Sequence, residues 1–199
     1  DALPIWSAPV SWRVFSWRTN YSPPNRDEYV FGNELGWNDR IWMVSKPPDS
    51  LVEQTGKTDA EGNHRISLDA DAASEPFPSE VTAEARVSDV NRQTYADTTT
   101  TLVHPANVYI GVRTETNFVG PGENLKVLAL VTDLDGAPVS GRPFEVTAEF
   151  QEWRRVKGDW LKTSLGTKTC SSVSGSAEIP CDFQAPSAGI VPITAIVTD

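Results

Sequence analysis

The sequence predicts an all-β protein built from tandem antiparallel β-sandwiches, and three observations carry that prediction. Short apolar runs such as residues 125–131 and 191–197 have the length of strands, about four to eight residues. The 13 glycines and 15 prolines recur between such runs, where they favour turns. No stretch keeps an apolar i, i+3, i+4, i+7 spacing over successive helical turns. Short strands separated by turns, without a helical pattern, are typical of sandwiches rather than barrels.

Composition excludes several classes of protein. The chain has 199 residues, with 27 Asp and Glu against 17 Lys and Arg, and its net charge is −10. The hydrophobic fraction of 39% is enough to bury a core, which argues against wholesale disorder. No apolar run approaches the roughly 20 residues that span a bilayer, so we expect no membrane insertion by this segment. An acidic chain of this kind is a poor nucleic-acid binder.

The chain contains an internal repeat. Residues 4–12 align with residues 138–146 at an offset of 134, and residues 81–89 align with residues 191–199 at an offset of 110. The shorter second offset places an insertion in the first copy, around residues 21–53. We therefore predict one sandwich over residues 1–105, carrying that insertion, and a second over residues 106–199.

The two copies are cut at opposite ends. The second copy has two strands' length of chain before its aligned motif, whereas the first copy has almost none, so the first domain is expected to lack its first strands. The second copy stops at its last aligned residue and is expected to lack its last strand. These lengths predict an excised piece of a longer multidomain chain.

Turns and strands follow one another along the whole chain. Residues 59–63, 120–122 and 133–136 are rich in Asp, Gly and Pro and predict turns. The β-branched run 98–103 predicts the last strand of the first domain. Asp133 and Asp135 do not begin a calcium loop, because the twelfth position, where such a loop needs Glu, is Phe144.

Cys170 and Cys181 are the two cysteines of the chain. Gly175 and Ser176 between them suit the centre of a type II′ hairpin turn, in which Cys170 faces Cys181 across two paired strands. A cross-strand disulfide is then expected, and it would imply an oxidising compartment. Two free thiols remain the alternative.

Seven tryptophans exceed what two small cores require. Trp37 and Trp42 fall in the insertion, and Trp153 and Trp160 flank the basic residues 154–157 at a predicted hairpin tip. Such rings pack in a core, form an interdomain or partner contact, or stack on sugars. We take these four tryptophans as candidate partner contacts.

Several motifs resemble those of a known family. Residues 109–112, 118–123 (with Pro121-Gly122-Glu123) and 131–141 (with Asp133-x-Asp135-Gly136) resemble the opening strands of a macroglobulin (MG) domain, which is an immunoglobulin-like sandwich. Residues 58–62 and 81–89 resemble the closing half of a preceding MG domain. The insertion, from Tyr21-Ser22-Pro23-Pro24 to Tyr29-Val30-Phe31-Gly32, is similar to that of bacterial members. The order of these motifs identifies the chain as resembling bacterial α2-macroglobulin-like proteins.

This resemblance implies a function for the whole protein. The family comprises exported, often lipid-anchored protease traps with a bait region and a Cys-x-x-Gln thioester. Cys181 and Gln184 have that spacing, but they lack the Glu before the Gln and stand in a strand-like segment. The resemblance implies that this segment is scaffold, with the other domains of the same chain and the trapped proteases as partners.

We expect no catalytic, cofactor-binding or metal-binding residue in this segment. His64 and His104 lie outside any H-E-x-x-H spacing, and no G-x-S-x-G marks a nucleophile. The location is expected to be periplasmic or extracellular, with any anchor in a part of the chain not present here. The alternatives are a tandem Ig-like binding module of a bacterial adhesin or stalk and an accessory β-domain of a secreted hydrolase.

Overall fold

Every regular element of the described residues is a strand. The computed structural model describes residues 6–32, 49–68, 77–156 and 159–198. Its strands are β1 (Pro9–Arg18), β2 (Val30–Phe31), β3 (Asp49–Lys57), β4 (Ser79–Ser88), β5 (Thr94–Val103), β6 (Val108–Thr114), β7 (Asn124–Asp133), β8 (Pro143–Val156), β9 (Asp159–Val173), β10 (Ile179–Gln184) and β11 (Ile193–Val197). Adjacent strands pair antiparallel throughout. The predicted all-β fold class is confirmed.

The chain divides into two units. Unit 1 comprises residues 1–20 and 35–105, and unit 2 comprises residues 21–34 and 106–199. The sequence prediction assigns residues 21–34 to the first domain, whereas their contacts place them in unit 2. The reason is that β2, within this segment, pairs with β6 of the second unit. A sequence offset locates an insertion but does not say onto which body it folds.

Unit 1 contains one four-stranded sheet in the described residues, with the order β3-β1-β4-β5. Val10 and Val14 of β1 are buried on one face of this sheet. The loop after β3 is fixed to the start of β1 by Thr58, whose buried side-chain oxygen accepts a hydrogen bond from the Ala8 N–H at 2.9 Å. The start of β1 is therefore tied to the loop that follows its neighbour β3.

Unit 2 is a two-sheet sandwich. One sheet has the order β10-β7-β6-β2 and the other β11-β8-β9. The core between the two sheets is formed by buried side chains of Val108, Leu125, Val127, Ala129, Val131, Phe144, Val146, Ala148, Phe150, Cys181, Phe183 and Ala185. Unit 2 therefore has the predicted antiparallel sandwich, with two sheets packed around one core.

Strand register confirms the internal repeat. Val10 of β1 lies opposite Val87 of β4, and Phe144 of β8 lies opposite Val197 of β11. These two pairs are related by the sequence offsets of 134 and 110. The sheet of unit 1 therefore corresponds to the β11-β8-β9 sheet of unit 2.

The same comparison locates the extra length of the first copy. Gly56 of β3 pairs with Val10, and Ser172 of β9 pairs with Phe144, so β3 and β9 are related by an offset of 116. The offset falls from 134 to 116 between the first and second strands of each copy, which places 18 extra residues between β1 and β3. This agrees with the insertion predicted around residues 21–53.

The disulfide joins two sheets rather than two strands of one hairpin. Cys170 and Cys181 are bonded, with their Cα atoms 5.9 Å apart. Cys170 lies in β9 and Cys181 in β10, which belong to different sheets. The predicted pairing of the cysteines is confirmed, but the predicted type II′ hairpin at Gly175 is wrong. The segment after β9 crosses instead to the other sheet, because β10 pairs there with β7.

Three turns share one hydrogen-bond pattern. The Asp133 side chain accepts from the N–H groups of Asp135 and Ala137 at 3.0 and 2.8 Å. The Asp59 and Asp89 side chains accept from the residues two and four positions on in the same way. The predicted turns at residues 59–63 and 133–136 are thus confirmed, and Asp133 is held by its own turn.

The fourth residue of each of these turns has a positive φ. It is glycine in two of the turns and arginine in the third. Gly62 and Gly136 have φ of 84°, whereas Arg92 has φ of 63°. A left-handed conformation costs a side-chain-bearing residue about 1–2 kcal/mol, partly offset by the greater entropy of glycine in the unfolded chain. We expect Arg92→Gly to raise the free energy of unfolding by about 0.5–1 kcal/mol in urea denaturation. Asn91→Gly, at a position without positive φ, should lower the free energy of unfolding. Equal effects of the two changes would contradict the backbone strain assigned to Arg92.

Candidate functional site

The structure describes some of the predicted contact residues and not others. Trp37 and Trp42 lie outside the described residues. Trp153 and Trp160 are 51% and 64% exposed and lie in β8 and β9. Among the described residues, no group of three or more His, Cys, Asp or Glu side chains could hold a metal ion.

Trp153 and Trp160 share one face of the β8–β9 hairpin. Trp153 pairs with Lys162, and Arg155 pairs with Trp160, so the four side chains point to the same side of the two strands. The Lys162 Nζ lies 5.9 Å from the centroid of the Trp153 ring. The two tryptophans therefore lie diagonally across the hairpin, and each has a cationic residue directly opposite. The Cα atoms of such a diagonal pair are about 7–8 Å apart.

The most extensive site of the described residues is formed by residues 21–32, here called the strap, on the outer face of the β10-β7-β6 sheet. The Tyr21 hydroxyl donates to the Leu134 carbonyl at 2.5 Å, and its ring lies 5.3 Å from that of Tyr109. Tyr29 and Phe31 are buried in a cluster with Leu130. The strap therefore gives β7 a second buried face, opposite the sandwich core.

Two glycines allow the strap to come this close. A Cβ at Gly111 would lie 2.5 Å from the Phe31 ring, and a Cβ at Gly136 would lie 2.2 Å from the Pro24 carbonyl oxygen. The Gly136 carbonyl in turn accepts a hydrogen bond from Arg26 Nε at 2.8 Å. Any larger side chain at either position would have to displace the strap.

An ion pair closes one end of the strap site. Arg113 of β6 donates from Nε and Nη2 to the two oxygens of Glu178, at 2.9 and 2.7 Å. The Tyr29 hydroxyl donates to the same carboxylate at 2.5 Å. These hydrogen bonds, of which those from Arg113 have the largest effect, lower the pKa of Glu178. The ionised Glu178 therefore stabilises the fold at neutral pH, and this stabilisation is lost in acid, as the pH falls through the lowered pKa of Glu178.

We expect the strap site to weaken in alkali. Burial raises the pKa of Tyr109 to about 12 and, with the Glu178 hydrogen bond, also raises the pKa of Tyr29. Because an unfolded tyrosine ionises near about pH 10, stability is fully present below that pH and is lost as the pH rises to about 12. The urea midpoint, followed by near-ultraviolet circular dichroism, should fall across this window, and less steeply for Tyr109→Phe. Parallel slopes for both proteins would contradict the assignment.

Two residues considered above for chemistry, His64 and Cys181, have defined partners in the structure. His64 Nδ1 accepts a hydrogen bond from Trp12 Nε1 at 3.0 Å, and its ring lies against Gly56. Cys181 is in a disulfide, so it does not form a thioester with Gln184. His64 is thus held by Trp12, and Cys181 by Cys170.

Sequence reasoning missed the strap site. Arg113, Glu178 and Tyr29 are far apart in the chain, and none stands in a recognisable motif. One signal was available: residues 127–131 are apolar without alternation, which is typical of a strand buried on both faces. Such a strand requires a cover on its outer face, which the strap provides.

Sequence comparison gives a limited result. No family model matches the chain. A Dictyostelium discoideum protein named circularly permutated Ras protein 2 is 30% identical over 140 residues, which are 65% of this chain and 4% of that protein. Because the match spans so small a part, the name of that protein says nothing about activity here.

Solved structures show the fold. The native conformation of Escherichia coli α2-macroglobulin aligns with 98% of this chain at a TM-score of 0.51 and 12% identity. Salmonella α2-macroglobulin reacted with methylamine aligns with 98% at 0.50 and 14% identity, and trypsin-activated E. coli α2-macroglobulin with 94% at 0.51 and 14% identity. This chain spans 12%, 13% and 15% of their respective lengths. The chain therefore has the fold of a small part of bacterial α2-macroglobulins, and of MG-like domains.

Proposed function

We propose that the chain is a scaffold segment of an α2-macroglobulin-like, broad-spectrum protease inhibitor. The observation that carries this proposal is the fold likeness over 98% of the chain, which covers both units, to a solved α2-macroglobulin. The two units would be structural, would take no part in catalysis, and would transmit the rearrangement that follows protease cleavage. Their partners would be other domains of the same chain and the trapped protease.

The strap supports a mechanical role. The polypeptide passes from unit 1 to unit 2 after residue 20, returns after residue 34 and passes again after residue 105. A segment that leaves one unit, is buried on the other and returns links them by more than one stretch of chain. Such a connection suits a scaffold that must pass on a displacement.

The disulfide supports an exported location. Disulfides persist in oxidising compartments such as the bacterial periplasm or the extracellular space. We place the protein there, in agreement with the bacterial α2-macroglobulins of similar fold. No helix of the described residues is long and apolar enough to cross a bilayer.

Protease trapping is tested on the full-length protein. After incubation with trypsin, a trap leaves the enzyme active on a small chromogenic peptide but shields it from a large protein substrate. We expect activity on the large substrate to fall while peptide hydrolysis persists. Equal loss of both activities, or no loss of either, would contradict trapping.

A second candidate, a tandem Ig-like binding module of a surface adhesin, is favoured by one observation. Trp153 and Trp160 are exposed on a shared hairpin face, as in sugar-stacking platforms. A glycan array decides between the two functions. Sugar binding that is lost in Trp153→Ala and Trp160→Ala, together with no effect on trypsin, would favour the adhesin.

A further inference from the structure

Strand β11 lies at an edge of its sheet in unit 2. The order β11-β8-β9 leaves one side of β11 without a paired strand among the described residues. Pro192, the residue before β11, accepts a hydrogen bond from the Glu149 N–H of β8 at 3.0 Å. Because such bonds recur at every second residue of an antiparallel strand, the backbone N–H and C=O groups directed away from β8 are those of Ile193, Ala195 and Val197.

The equivalent edge in unit 1 is paired. At the repeat offset of 110, β4 corresponds to β11, and β4 pairs with β5 over its full ten residues. Just beyond this pairing the Asp89 N–H donates to the Gln93 carbonyl at 2.9 Å. By the same alternation, the β4 residues that exchange hydrogen bonds with β5 include Ala83, Ala85 and Val87. These residues are the equivalents of the three residues whose backbone groups β11 directs away from β8.

The other sheet of unit 2 extends past this edge. β11 lies against β6 of that sheet, and β6 pairs on its far side with β2. Val30 of β2 lies opposite Val112, which packs on the core, so both side chains are directed to the inner face. Val30 is nevertheless 44% exposed, whereas Val127 and Val146 in the middle of the core are fully buried. The sandwich is therefore open along an apolar side bounded by β2, β6 and β11, here called the lateral groove.

The composition of the β11 edge favours pairing. Residues 185–198 contain no charged side chain. By contrast β9, at the opposite edge of the same sheet, has the exposed side chains of Lys162 and Lys168. Charged side chains on an edge strand disfavour the addition of a further strand. The outer face of β11 is also apolar, because Ile196 is 63% exposed.

We infer that a strand from another part of the full-length protein adds to β11 and fills the lateral groove. The strand runs antiparallel to β11, as β5 does to β4, and carries apolar side chains at alternate positions that pack on Val30 and Val112. This contact rests on the proposed function, in which unit 2 belongs to a longer scaffold. A shared sheet joins two parts of the protein through backbone hydrogen bonds, which suits the transmission of a displacement.

Hydrogen exchange on the full-length protein, resolved by residue with mass spectrometry, tests the added strand. The N–H groups of Thr194 and Ile196, which face β8, serve as the internal reference. We expect the N–H groups of Ile193, Ala195 and Val197 to exchange within about tenfold of that reference, whereas a free edge would let them exchange at least about a hundredfold faster. The protection should be the same at protein concentrations that differ tenfold.

Two variants test the groove and the pairing separately. Val30→Asp places a carboxylate in the lateral groove and should speed exchange of the outward N–H groups of β11 about tenfold, while those facing β8 keep their rates. Ala195→Pro removes one outward donor, spares the bonds to β8, and should expose the outward groups on either side of it. Val90→Asp is the matched control, because Val90 is 92% exposed and lies in unit 1, and it should change neither set.

Fast exchange of the outward groups in the unaltered protein, or rates that Val30→Asp and Ala195→Pro leave unchanged, would overturn the inference. Protection that appears only at high concentration, together with a dimer in sedimentation, would show a second copy on β11 and would overturn the assignment to the same polypeptide. Protected groups in a protein that does not trap trypsin would contradict the proposed function alone. Unprotected groups in a protein that does trap trypsin would contradict the added strand alone.

Discussion

Gly136→Ala is expected to release the strap from unit 2 and to lower the free energy of unfolding by about 3 kcal/mol. Two costs add at this position. A left-handed φ, here 84°, costs alanine about 1–2 kcal/mol. In addition, the new Cβ would lie 2.2 Å from the Pro24 carbonyl oxygen, and such overpacking typically costs about 1–3 kcal/mol. Urea denaturation measures the sum.

Gly122→Ala is the matched control for this prediction. Gly122 also has φ of 84°, but a Cβ there would meet no atom within 4 Å, so only the conformational cost applies. Trypsin reports on the strap itself, because Arg26 is tied to the Gly136 carbonyl. We expect faster cleavage after Arg26 in Gly136→Ala and unchanged cleavage in Gly122→Ala. Equal stability losses in the two variants would show that the strap does not rest on Gly136.

Loss of the Cys170–Cys181 disulfide is expected to lower the free energy of unfolding by about 2–4 kcal/mol. The bond closes a loop over a sequence separation of 11 and ties β9 of one sheet to β10 of the other. Without it, the unfolded chain gains conformational freedom, and the two sheets of unit 2 lose a covalent link. The double variant Cys170→Ala/Cys181→Ala tests this in urea.

Reduction of the unaltered protein provides the control. Cys181 is 1% exposed, so alanine at this position also removes packing from the core. Dithiothreitol breaks the bond while keeping both sulfur atoms, and it should produce most of the loss seen in the double variant. An unchanged urea midpoint after complete reduction, verified by thiol titration, would contradict the expected stabilisation.

The repeat shows how far sequence could go toward the fold. Offsets of 134 and 110 predicted which strands of the two copies correspond, and the pairs Val10–Val87 and Phe144–Val197 bear this out. The offsets succeed because duplicated strands keep their alternation of inward and outward side chains. They could not show that residues 21–34 fold onto the second copy, since docking depends on a surface elsewhere in the chain.

The cysteines illustrate the same limit at closer range. Their spacing and the intervening Gly175 favoured a bond between them, because a tight turn in this interval brings the two cysteines close together. The same spacing suits both a hairpin and a crossing between sheets. The crossing between sheets forms because β10 pairs with β7, which places Cys181 in the sheet opposite that of Cys170.

The sequence by itself determined that this protein is all-β, repeated and interrupted by an insertion near residue 21, and it favoured a bond between the two cysteines. Each of these depends on local periodicity, on an offset or on a short spacing. Only the tertiary structure decided the strap site. The hydrogen bonds of the strap join residues that are 110 to 149 positions apart in the chain. Partners so distant in the chain leave no spacing in the sequence, because their proximity arises only after the sheets have packed.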